Sequence, residues 1–263
     1  MIYTCYEMIR DCRAGRSEGW RHLVAAYVPV IRRLAVHYQP GRQLDDAGIG
    51  RMLTALHAPE SDLFQSLEPA PERCFVAQLR QKVLAMLQPD VAAGAIDLET
   101  VAAALEPLTL VEKQAVWLET MLYPSAETGA LLRMSPPTVD KIRSRAAGFV
   151  RGKVDSWSAN MLAGSGFALG RTAASAGTPE CLPPKTFLDL LDGRSTWRNR
   201  EELEQHATRC WHCIDHFCRL VEVVGLLRRN QALSDAEAAP FWELLGVSPP
   251  SPPAWKRWLD RRA

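Results

Sequence analysis

Apolar residues recur along most of this chain at three- and four-residue spacing, and no stretch alternates as a strand would. The pattern predicts an all-α protein. Thr4 and Glu7 form a capping-box pair ahead of a first helix with Met8, Ile9 and Cys12 on its apolar side. From Ser17 to Tyr38, the residues Trp20, Leu23, Tyr27, Ile31, Leu34 and Tyr38 keep to one face, and Pro29 should bend that helix or break it at Val28. Pro40-Gly41 should end it. A helix over Leu44 to Ala58 and a short turn over Leu63 to Leu67 follow, then a helix from Glu72 to Leu87 with Phe75, Leu79, Val83 and Met86 on one face. Gln88 to Gly94 reads as a linker.

The second half repeats the helical pattern. Helices are expected over Asp97 to Leu105 and Leu110 to Leu122, and with the stretch Ser125 to Arg151 they make a four-helix unit. Ser156 to Glu180 is rich in Ser, Ala and Gly and reads as a flexible tether. Beyond it, Pro183-Pro184 should start a helix through Leu191, Asn199 a second, and Trp211 a third with Ile214, Phe217, Val221 and Val224 on one face. That face suits either contact with the earlier helices or closure of its own small core. Ser234 and Glu237 form another capping box before Phe241, Trp242, Leu244 and Leu245. The expected division is 1–88, 97–154, a linker over 155–180, 181–232, and a C-terminal helix with a Pro/Trp tail over 233–263.

Ser125 to Arg151 reads as a helix-turn-helix. Ser125 can cap a short helix carrying Leu131 and Leu132, and Ser135 can cap a second, with Pro136 at its first position where the missing N–H costs nothing. Val139, Ile142, Ala146, Phe149 and Val150 make its apolar face. From Arg133 to Lys153 there are six basic residues (Arg133, Lys141, Arg143, Arg145, Arg151, Lys153) against one acid, Asp140. Thr138, Lys141, Arg143 and Arg145 are the candidates for entry into a DNA major groove. An amphipathic hairpin with a solvated basic face fits the same pattern.

Net charge over the whole chain is +1, so any nucleic-acid surface must be local. With no run of about 18 apolar residues and no basic-then-apolar start, a cytoplasmic location is expected. There the seven cysteines are thiols or metal ligands sooner than disulfides. Cys181 is followed after twenty-four residues by His206, after three more by Cys210, and after two more by Cys213. One helical turn separates His206 from Cys210, and Cys210-x2-Cys213 can return two thiolates to the same point. Three thiolates and one imidazole close a tetrahedron, which is the donor set of a structural zinc site and leaves no open position for catalysis. With no other catalytic constellation, the chain is not expected to be an enzyme. His212 and His216 are expected to face solvent, and Cys218 to pack or to wait as an exchangeable thiol.

Leu105-Glu-Pro-Leu108 through Val150 resembles the promoter −35-binding domain (region 4) of extracytoplasmic-function sigma factors of bacterial RNA polymerase, matching at Glu127, Leu131, Ser135, Thr138, Val139 and Arg145. It departs at Thr128 and Gly129, at Arg133 in place of the turn Gly, at Pro137, and at Asp140, whose charge opposes phosphate. Cys12 to Leu87 resembles region 2, with Leu44-Asp45-Asp46-Ala47 standing for its acidic entry motif. Cys181 to about Leu227 resembles the zinc-binding anti-sigma domain, through His-x3-Cys-x2-Cys and Leu188-Asp-Leu-Leu-Asp-Gly193. The resemblance implies two sigma-like helical domains followed by a small zinc-stabilised one, with promoter DNA and core RNA polymerase as partners. An inhibitor-like module placed after the Ser156 to Glu180 tether also predicts regulation in cis, by contact between the zinc domain and the sigma-like domains, with oxidation or metal loss at the thiolates as one candidate release. The alternative it leaves is a helix-turn-helix regulator or anti-sigma-type adaptor that does not bind core polymerase.

Overall fold

The computed structural model describes residues 3–39, 45–58, 71–87, 98–154, 170, 173–174 and 176–249. The turn expected over Leu63 to Leu67, the Gln88 to Gly94 linker, most of the 155–180 stretch and the Trp255/Trp258 tail lie outside them. Among the described residues the protein is all-α, with twelve complete helices and no strand. These are α1 (Cys5–Arg13), α2 (Ser17–Tyr38), α3 (Asp46–His57), α4 (Glu72–Leu87), α5 (Leu98–Ala104), α6 (Leu110–Thr120), α7 (Ser125–Leu132), α8 (Pro136–Val150), α9 (Pro184–Leu191), α10 (Trp197–Ala207), α11 (Trp211–Arg228) and α12 (Asp235–Leu244). Most starts fall where the caps predict. Thr4, Thr109 and Ser234 each accept from the backbone of a Glu three residues on, and that Glu accepts from the cap's own N–H. α10 starts two residues before the expected Asn199, because Thr196 rather than a later residue accepts from the Asn199 N–H.

The helices fall into two compact units, 1–87 together with 226–263, and 88–225. In the first unit α2 is the central element, packed by α1, α3, α4 and α12. Trp20, Leu23, Val24, Tyr27, Val28, Ile31 and Leu34 are buried along it. Of the two outcomes expected at Pro29, the break at Val28 does not occur, and α2 runs through the proline. Proline removes the N–H that would bond to the carbonyl four residues back. That carbonyl, Ala25 O, accepts instead from the Leu233 N–H at 2.8 Å, and the next one, Ala26 O, accepts from Asn230 Nδ2 at 2.7 Å. Leu233, in the segment leading into α12, thus supplies the one bond that the proline removes, and Asn230 adds a second. α12 then buries Ala238, Phe241 and Trp242 against α2 and α3, with the Arg32 guanidinium 5.6 Å from the Phe241 ring centre.

In the second unit α6, α7 and α8 pack on one another, with α5 against α8. Val101, Leu105, Leu108, Ala115, Val116, Leu118, Val139, Ile142, Ala146 and Val150 form the core. The turn between α7 and α8 has Arg133 in the left-handed region, at φ 57°. It is tight because Gly129 admits the backbone, its carbonyl accepting from the Met134 N–H at 2.8 Å. A Cβ on Gly129 would lie 2.6 Å from Met134 O. The metal-ligand candidates lie in the same unit, on α10, on α11 and in the turn before α9.

Candidate functional site

Cys181, His206, Cys210 and Cys213 converge. Their ligand atoms all lie within 4.8 Å of one another, and Cys181 Sγ is 3.6 Å from Cys210 Sγ. Thiolates bonded at about 2.3 Å to one tetrahedral ion would sit about 3.8 Å apart, so the spacing suits a single ion. Each donor has its place for a local reason. His206 occupies the last turn of α10, Cys210 directly precedes α11, and Cys213 lies in the first turn of α11. The Cys181 N–H donates to Thr178 O at 3.0 Å, and the Thr178 N–H donates back to Cys181 Sγ at 3.2 Å. Cys213 is fully buried and the other three are half-buried.

His206 Nε2 is buried with no hydrogen-bond partner. A buried imidazole nitrogen without a partner is costly, and ligation would satisfy it. Hydrogen bonding, from Cys213 first, pushes the Cys210 thiol down to about 4, and the same bond and burial push the Cys213 thiol up. The four residues could hold one metal ion, with no fifth protein group needed and no position left open.

Two neighbours differ from expectation. His216 does not face solvent. Its Nε2 is buried, its ring lies 5.1 Å from Phe187, and burial pushes its pKa down to about 4. His212 is half-buried, with Nδ1 3.1 Å from both Ala173 O and Ala174 O. Gly177 passes beside it so closely that a Cβ there would lie 2.9 Å from the His212 ring. The described end of the expected tether is thus docked on the metal module. Cys218 is packed, at 1% exposure.

The four groove candidates on α8 divide. Thr138 and Lys141 are exposed, although the Thr138 hydroxyl is 2.7 Å from that of the capping Ser135. Arg145 is half exposed and paired with Glu112. Arg143 points inward. It donates to Ser125 Oγ (2.9 Å), Tyr123 O (2.8 Å) and Thr128 Oγ1 (3.0 Å), and its Nε lies 3.4 Å from Glu119. This guanidinium holds α6, α7 and α8 together. Asp140 is tied back to Ser125, which draws its charge toward the start of α7.

Sequence reasoning missed the residues that join metal module and helix-turn-helix. Lys113, nearly buried on α6, donates from Nζ to Thr208 O at 2.8 Å, at the C-terminal end of α10. Its burial lowers its pKa. Trp117 is fully buried, packs with its ring centre 5.1 Å from that of Trp211 at a tilt of 36°, and donates from Nε1 to Asp215 Oδ1 at 3.0 Å. Tyr123 donates to Glu222 at 3.1 Å. A buried Trp announces that its N–H needs a partner, but the partner lies 98 residues away.

No family model, curated protein or solved structure matches this chain. No helix among the described residues is long and apolar enough to cross a membrane.

Proposed function

We propose that this protein is a sigma-factor-like regulator of transcription initiation that binds promoter DNA and core RNA polymerase, with a zinc ion held by Cys181, His206, Cys210 and Cys213. Zinc is the ion of choice because three thiolates and an imidazole in a closed tetrahedron are its structural donor set. The observation that carries the reading is the pairing, in one compact unit, of that cluster with a capped basic helix whose early residues Thr138 and Lys141 are exposed. The tight turn into α8 matches the entry to a groove-reading helix. The metal module rests on α6 through Trp117 and Lys113, so its docking leaves Thr138 and Lys141 uncovered.

The second reading, a regulator or adaptor that does not bind core polymerase, is favoured by one observation. With Arg143 turned inward and Arg145 paired to Glu112, the basic face offers less charge to phosphate than the sequence suggests. Two measurements on the full zinc-loaded chain decide. Gel shift on promoter DNA should show binding that Lys141→Ala weakens. Pull-down should recover core polymerase. DNA binding without polymerase capture selects the second reading, and the absence of both removes the whole proposal.

A further inference from the structure

One helix, α6, is held from two sides. At 100° per residue Glu112 and Glu119 share one face of it, and Lys113 and Trp117 share another, about 120° away. The first face grips the recognition helix, since Glu112 pairs with Arg145 and Glu119 with Arg143. The second face grips the ligand knuckle between the donors themselves. Lys113 bonds to Thr208 O, two residues after His206 and two before Cys210, while Trp117 covers Trp211 and bonds to Asp215, on either side of Cys213. Resting on the proposed DNA-binding reading of α8, the geometry points to α6 as a transmitter. Ion binding by Cys181, His206, Cys210 and Cys213 fixes α6, and through it fixes α8 for DNA.

The direction of the effect follows from burial. Lys113 is 3% exposed and Trp117 fully buried, and their polar atoms bond to the knuckle. Without an ion, three sulfurs and an imidazole converge with nothing to join them, and the buried His206 Nε2 has no partner. A knuckle that opens removes Thr208 O and Asp215 from α6, so an ammonium and an indole N–H lose their bonds. The α6 that holds Arg143 and Arg145 then loses its support. Ligation thus favours the DNA-binding arrangement, and by thermodynamic reciprocity DNA must favour ligation by the same factor. The sign is opposite to inhibition by a covering domain, in which metal loss would release DNA binding.

The test uses the full chain. Hydrogen exchange over residues 110–120 and 136–150 is compared between the zinc-loaded and the chelator-stripped protein. The expected result is faster exchange in both segments on stripping, together with a fall in DNA affinity of about tenfold, within the usual range of coupling between sites. Trp117→Phe keeps an aromatic ring but removes the indole N–H together with part of the buried ring, so Asp215→Asn, which keeps the Oδ1 acceptor and lowers only its charge, is run beside it. With zinc bound each should reduce the effect of stripping on 136–150 and weaken zinc binding. The inference is overturned if stripping loosens 206–213 but leaves 136–150 unchanged, or if DNA binds more tightly to the stripped protein. If exchange couples but no DNA binds at any zinc level, the transmitter stands and the DNA-binding reading of α8 falls.

Discussion

Lys141 and Arg143 stand two positions apart on α8 and carry the same charge, yet they have different tasks. The Lys141 side chain lies in solvent, while that of Arg143 is 11% exposed and bonds to two hydroxyls and a carbonyl. Arg143→Ala should therefore act on stability. It strands the Tyr123 carbonyl and leaves Glu119 without its cation, where burial already pushes that carboxyl up. A loss of about 1–3 kcal/mol is expected for such a set of bonds, read by denaturant unfolding. Lys141→Ala should leave stability within about 0.5 kcal/mol and lower the salt slope of DNA binding by about 1. A stable Arg143→Ala variant would show that the inward bonds add nothing. At the cluster, Cys210→Ser should abolish binding of a single ion, read by native mass spectrometry, because it removes one of the four converging donors. Full occupancy in that variant would require another donor in its place. The four cluster residues were legible because metal ligands keep a spacing that chemistry dictates. Arg143 was not, since a basic residue on a basic helix gives no sign of which way it turns.

Helix starts were legible at most side-chain caps, with α10 the exception, since its Thr196 cap went unread. Ser135 accepts from the Thr138 N–H, though at 3.4 Å, and Pro136 follows it. Ser135→Ala should cost about 1 kcal/mol, measured as a shift in unfolding midpoint, and should weaken DNA binding by fraying the first turn, where Thr138 and Lys141 sit. An unchanged midpoint would mean that Pro136 alone sets the start of α8. Pro29 marks the limit of this local reading. Its effect on α2 depends on Leu233, some two hundred residues away, whose N–H takes up the carbonyl that the proline leaves without its helical donor. Lys113 and Trp117 raise the same difficulty on α6. Periodicity assigns them to a helix, and only the tertiary structure reveals that a second module supplies the bonds their polar ends require.

At the scale of the molecule, the first unit is closed by chain from both ends, residues 1–87 and 226–263. The C-terminal helix α12 therefore packs as part of that unit. Beyond the bonds at Pro29, Phe241 and Trp242 are each 4% exposed, and Leu245 and Val247 are buried. Arg21 also donates to Ser248 O at 2.9 Å. Burying an aromatic side chain of this size is worth about 3–5 kcal/mol against alanine, comparable to the whole stability of many domains. A chain ending at Arg229 should consequently lose the native first unit, because Ala25 O and Ala26 O lose their donors along with the apolar plug. Limited proteolysis should then cut within α2 and α3. The second unit ends at Gly225, so the truncated chain should keep one metal ion. A milder variant, Phe241→Ala, should lower the unfolding midpoint of the first unit while leaving metal occupancy unchanged. This also bears on any test of regulation in cis. Cutting the chain at Ser156 would remove α12 from the first unit as well as the metal module, so weaker polymerase binding would follow from unfolding alone. Point variants at Trp117 and Lys113 separate the two effects. If the chain ending at Arg229 resists protease as well as the full chain does, the residues after Arg229 are dispensable and the proline carbonyls are satisfied by solvent.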